Sequence, residues 1–194
     1  EKGNLYMKIL VLNGSPRKNG CTYTALNVVA DALKAEGIDA EVFQAGDPDM
    51  ENVKAAAAKL KDSDALVVGS PVYWASPSGQ IIEFMDRLAS VAGKDMLYKP
   101  AAAVASARRA GTTATLDVLT KYFSYHQMPV VSSCYWNMVH GNTPEEVMKD
   151  EEGVQIMRVL GKNMAWLLKC IEAGKKNGVA VPAAEDKIKT NFIR

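Results

Sequence analysis

Apolar runs of strand length alternate along the chain with amphipathic runs of helix length. Lys8-Ile9-Leu10-Val11-Leu12-Asn13 is almost unbroken in its apolar character, the pattern of a parallel strand buried on both faces. Ala25, Leu26, Val29 and Leu33 then fall on one helical stripe, and Gly37 is placed to end that helix. Ile38, Ala40 and Val42 alternate with Asp39 and Glu41, as a strand with one more polar face does. Asp49 is placed to cap a helix through the alanine run 55–58, which Asp62-Ser63 closes. A third strand covers Ala65–Ser70. Ser78 caps a helix with Ile81, Met85 and Leu88 on its inner side. A fourth strand spans Ala101–Ser106, and Thr112 or Thr113 opens a helix to about Tyr125. The fifth strand is expected at Met128–Cys134, with Pro129 near its start, where a missing N–H is tolerated.

The longest connection follows, from Tyr135 to about Glu152. Its Thr143-Pro144-Glu145-Glu146 combines a capping box with proline at the first helical position, so a short helix is expected inside it. Met157, Leu160, Met164, Leu167 and Ile171 mark the last helix, read with Trp166 as core or subunit packing; beyond Gly174 the chain turns polar and lysine-rich until Phe192-Ile193. The domain is therefore expected over residues 7–173, with a tag or extension at 1–6 and a tail at 174–194. Five strands alternating with five helices call for an α/β fold, a parallel sheet covered on both faces by right-handed crossovers. Ligands of such sheets sit beyond the carboxyl ends of the strands, where strand order reverses. The loops at residues 14–22, 71–78 and 106–112 lie there.

Composition narrows the field of functions. Of the 194 residues, 48% are hydrophobic and 23% charged, which suits one soluble domain. A net charge of +1 carries no footprint for nucleic acid or an anionic membrane. No apolar run reaches the roughly 20 residues of a membrane span, and no signal-peptide order opens the chain. Cys21, Cys134 and Cys170 are odd in number and widely spaced, without a CxxC pair. That argues against a disulfide framework, a zinc site or an iron–sulfur cluster; no metal and a cytoplasmic location are expected.

The first loop, Gly14-Ser15-Pro16-Arg17-Lys18-Asn19-Gly20-Cys21-Thr22, joins a buried strand to a helix N-terminus. Its glycines allow close backbone approach, its free N–H groups favour an anion, and Ser15, Arg17, Asn19 and Thr22 add donors. The set suits a terminal phosphate monoester. Walker A spacing fails because Cys21-Thr22 follows Gly20, and the dinucleotide G-x-G-x-x-G is missing. The second loop sets Tyr73 and Trp74 between Pro71 and Pro77. Two readings stand for these aromatics: stacking beside a flat heterocycle, or covering the sheet edge. Arg108 and Arg109 in the third loop are either neutralisers of a ligand anion or a solvated pair.

The strand–Gly-Ser-Pro-Arg-Lys-Asn-Gly–Cys-Thr opening, then Gly69-Ser70-Pro71-Val72-Tyr73-Trp74 and Asp86-Arg87, resembles the NADPH-dependent FMN reductases of the flavodoxin-like superfamily. It is similar also to the flavin domain of iron–sulfur flavoproteins, without their cysteine cluster. The similarity covers roughly residues 7–130. The resemblance implies a doubly wound five-stranded sheet in the order 2-1-3-4-5, with FMN as cofactor and NADPH or NADH as transient donor. It implies that Ser15, Arg17, Cys21 and Thr22 hold the FMN phosphate. Pro71, Val72, Tyr73 and Trp74 would lie along the isoalloxazine, and Ser106 to Gly111, with Arg108 and Arg109, near its pyrimidine edge. The family often has Asn where Cys21 stands, so that contact is expected through the backbone.

Hydride transfer from a nicotinamide to the flavin, and on to an acceptor, needs no protein nucleophile, and no catalytic side chain is assigned: the flavin carries the chemistry. His126 reads as a helix-end contact. His140 is placed either structurally or near a flavin as a proton donor to a quinone-like substrate. The expected activity is electron transfer from NAD(P)H through FMN to a small acceptor. The rival is a flavodoxin-type electron carrier, which the +1 charge and the arginine pair suit poorly. Family resemblance further implies a homodimer or homotetramer, with Trp136 and the Phe192-Ile193 tail as candidate partner contacts.

Overall fold

The computed structural model describes residues 7–183, 185–190 and 192. The expected extension at 1–6 and Ile193 of the tail pair lie outside the described residues. In chain order the elements are β1 (Lys8–Asn13), α1 (Cys21–Ala35), β2 (Asp39–Gln44), α2 (Met50–Lys61), β3 (Ala65–Tyr73), β4 (Ser76–Pro77), α3 (Gly79–Met96), β5 (Ala101–Ala107), α4 (Thr112–Tyr125), β6 (Met138–His140), α5 (Pro144–Lys149) and α6 (Glu151–Lys176). The sheet runs β2-β1-β3-β5-β6, all parallel, and β4 is a short antiparallel return paired to β3. With that return left aside, the order is the flavodoxin-like 2-1-3-4-5.

Burial on both faces explains the unbroken apolar strands. Ile9 and Val11 of β1 face the core beneath α1 and α6, with Leu26, Leu33, Leu160 and Met164. Leu10 and Leu12 point to the other face, against α2, α3 and α4, with Leu60, Phe84, Met85 and Phe123. Helix ends follow the expected caps. Asp49 accepts from the N–H of Glu51, Ser78 from that of Ile81, and Thr143 from that of Glu146. The carboxylate of Glu146 reaches back one residue further than a standard box, accepting from the N–H of Asn142 at 2.6 Å. Among the described residues, no helix is long and apolar enough to cross a membrane.

Two expectations are corrected. The segment Met128–Cys134 is not the fifth strand: only Val130 bridges β5, opposite Ala101, and the strand proper is Met138–His140. The chain leaves the sheet after Val131, which donates to the carbonyl of Ala101, and rejoins where Asn137 accepts from the N–H of Ala105. In the gap the side chain of Asn137 donates to the carbonyl of Ala103 at 3.0 Å, replacing a ladder bond. The third strand also outruns its expected end at Ser70. It continues to Tyr73 and folds back through Trp74-Ala75, so the second loop is a hairpin.

Candidate functional site

The first loop is shaped from inside by Asn13, fully buried at the end of β1. Its Oδ1 accepts from the N–H of Ser15 at 3.2 Å. Its Nδ2 donates to the carbonyls of Arg17 and Lys18 and, at 2.8 Å, to Oε1 of Gln44. Gln44 in turn donates to the carbonyl of Ser15 at 2.6 Å. Gly14 sits where any Cβ would come within 2.6 Å of the Gly69 carbonyl and of Ile81, so the loop lies flush on β3 and α3. The hydroxyl of Ser78 also donates to the carbonyl of Gly14, at 2.9 Å.

This scaffold presents the N-terminus of α1. Gly20 occupies the cap position and offers no side chain, so the first-turn N–H groups of the helix have no cap from it. Helix N-termini of this kind favour anions through oriented N–H groups and the helix dipole. Thr22 and Ser106, both buried, bring their hydroxyls within 2.7 Å of each other and so tie the first loop to the third. Ser15 is buried, and its hydroxyl accepts from the N–H of Arg17 at 3.1 Å. Arg17, Lys18 and Asn19 are exposed at the rim. Cys21 is half-buried, with Sγ 3.7 Å from the Gly141 carbonyl. Burial pushes its thiol above the ordinary cysteine value, outweighing its own backbone hydrogen bond and the nearby Arg17.

The other two loops meet each other. Pro71 and Pro77 are buried, Val72 is half-buried, and Tyr73 and Trp74 are exposed. Gly111 adopts a φ of +103°, open to glycine, and a Cβ there would fall 2.6 Å from the Cα of Ala75. Arg108 and Arg109 stand exposed beside it. The three loops are thus brought to one end of the sheet, the first carrying the donors and the other two the aromatics and the arginines. This donor set fits a phosphate joined to a flat ring. Cavities of 440, 610 and 660 Å³ lie elsewhere, along the detour after Val131 and about the outer sides of α3 and α4.

Residues not singled out in the sequence complete the frame. Asn13 was legible in principle, as a polar residue closing an apolar buried run. Gln44 was not, because only the register Asn13↔Gln44 brings it to the loop. His126 is buried, with Nδ1 2.7 Å from the Tyr122 carbonyl. His140 is exposed at the end of β6, its N–H donating to Asp150 at 2.7 Å.

Residues 7–143 match the family described as NADPH-dependent FMN reductase. An iron-sulfur flavoprotein of Methanocaldococcus jannaschii is 28% identical over 192 residues, spanning 86% of this chain and 100% of the relative. An NADPH azoreductase of a Bacillus species is 31% identical over 108 residues, 52% of this chain and 59% of that one. Among solved structures, a WrbA-like flavodoxin protein from Agrobacterium tumefaciens superposes with a TM-score of 0.67 at 18% identity, covering 85% of this chain and 98% of that chain.

Proposed function

The chain belongs to the NADPH-dependent FMN reductase family, and from that premise we propose that it passes electrons from NADPH or NADH through FMN to a quinone-like or other small acceptor. The observation that carries this reading is the uncapped start of α1 inside a loop whose backbone Asn13 and Gln44 hold rigid. An anion-binding end so prepared suits the FMN phosphate. Ser15, Arg17, Asn19 and Thr22 would surround the phosphate, with Cys21 contributing through its backbone. Pro71, Val72, Tyr73 and Trp74 would border the ring, and Ser106, Arg108, Arg109 and Gly111 its pyrimidine edge.

Bound FMN supplies a ring that accepts a hydride and passes electrons onward. The protein's own part is placement and electrostatics. Gly14 and Gly111 let backbone approach closely, the Thr22–Ser106 pair fixes the distance between two loops, and the exposed arginines favour negative charge at the ring edge. We also propose a cytoplasmic homodimer or homotetramer, in which exposed Trp136 and Phe192 reach a partner copy.

The test is steady-state oxidation of NADPH and of NADH by the FMN-loaded protein with menadione as acceptor. Sustained turnover with at least one donor is expected. A protein that binds FMN yet oxidises neither donor would reject the reductase reading and favour a carrier reduced by another protein.

A further inference from the structure

The edge of the sheet opens into a cavity where the chain leaves it. Val131 makes the last bond to Ala101, Asn137 rejoins at Ala105, and residues 132–136 swing outward between them. The space left behind measures 440 Å³, within the range of small-molecule sites. Its floor is apolar and buried, made by Ala103 of β5, Leu116 of α4 and Val131. Tyr135 stands at its side, steadied by the Trp136 ring, which meets it edge-on with centroids 4.7 Å apart.

Two polar groups give the cavity its character. Asn137 lines it and is 8% exposed. Donation from Nδ2 to the Ala103 carbonyl fixes which way this amide points and leaves Oδ1 as its other end. That oxygen is buried and has no partner among the described residues. An unpaired buried acceptor costs free energy, and native chains keep few of them. Asp117 is exposed at the rim and is the one charged side chain among the described residues of the lining. The cavity thus combines an unfilled acceptor, a negative charge and an aromatic wall, without a basic group.

We propose that this cavity is a binding site for a flat aromatic ligand carrying a cationic N–H donor group, such as an arylamidinium. An N–H inserted from the cavity would complete Oδ1 of Asn137, and donors that carry charge make the stronger bonds. The positive charge is matched by Asp117, and the ring lies over the apolar floor beside Tyr135. An aromatic anion is rejected, because its oxygens would face an acceptor and a carboxylate. No residue of the flavin set takes part, so the inference stands apart from the reductase reading.

The test is calorimetric titration of the protein with benzamidine at pH 7, with and without added FMN. One-to-one binding is expected with a Kd on the order of 1 mM or tighter, the same in both cases. Benzoate keeps the ring without the donor and guanidinium the donor without the ring; each should bind at least tenfold more weakly. Asp117→Asn should weaken benzamidine about threefold. Thr120→Trp, at a half-buried α4 position of the lining, should fill the cavity and abolish binding while melting close to wild type. In NMR spectra of wild type, benzamidine should shift the side-chain amide signals of Asn137, a readout that needs no variant to fold. Absence of benzamidine binding, benzoate binding as tight, competition by FMN, or unmoved Asn137 signals would each overturn the proposal. So would a folded Thr120→Trp that binds benzamidine like wild type.

Discussion

At the scale of single residues, Asn13 has four partners through one buried amide, and each belongs to the first loop or to β2. Asn13→Ala should cost about 2–3 kcal/mol, since it strands buried groups rather than merely deleting a bond. Thermal unfolding would show this as a loss of roughly 4–12 °C. FMN affinity should fall with it, and a variant with wild-type melting and affinity would refute the role given to this side chain. Cys21 sits where a helix N-terminus and Arg17 favour thiolate, yet burial prevails and holds the thiol up. At neutral pH an alkylating reagent should therefore modify exposed Cys134 and Cys170 first, and FMN should slow Cys21 further. Labelling of Cys21 at the same rate as the other two would contradict this. Arg108 and Arg109 make a third case: replacing the one that faces the reduced ring should lower the flavin potential. An unchanged potential in both single variants and the double variant would remove the arginines from the account.

At the scale of elements, the strands buried on both faces and the capped helices were legible, because continuous apolar runs and Asp49, Ser78 and Thr143 each have a direct physical meaning. The edge strand was not. Residues 128–134 have strand composition, but the chain after Val131 swings outward, and Tyr135 and Trp136 remain exposed. The strand that does form, Met138–His140, is too short to show a period of two. The first loop stood out in the sequence through its hydroxyls and glycines, whereas the Thr22–Ser106 contact joins residues 84 positions apart and needed the sheet to bring them together. Ser78 belongs at this scale too, as cap of α3 and clamp on Gly14 at once. Ser78→Ala should destabilise by about 1–2 kcal/mol, read in urea unfolding as a lower midpoint at constant slope. A midpoint equal to wild type would show that the cap is dispensable.

At the scale of the whole molecule, two cores pack on opposite faces of one sheet, and the loops that emerge at its carboxyl end inherit their positions from both. Tyr122 of α4 links two helices of the second face, donating to the carboxylate of Asp86 in α3 at 2.5 Å. Burial first, and the Asp86 bond and charge second, push its phenol well above the ordinary tyrosine value. A folded value raised in this way means the native state keeps the proton longer. The advantage of wild type over Tyr122→Phe should be full below about pH 10 and shrink as pH rises beyond it. Chemical unfolding of both proteins across that range checks the sign; an advantage that grows with pH would reverse it. The net charge of +1 is unlike that of an acidic carrier that steers onto a basic partner.

Absorbance of the purified protein, recorded alone, with FMN, and then with NADPH without oxygen, bears most directly on the function assigned to the three loops. Bound FMN should show the two bands of oxidised flavin, which NADPH bleaches and a quinone restores. Bands that persist with NADPH would leave an FMN protein that is not an NADPH reductase. A protein that holds no FMN at all would contradict the assignment of the phosphate cradle at the start of α1.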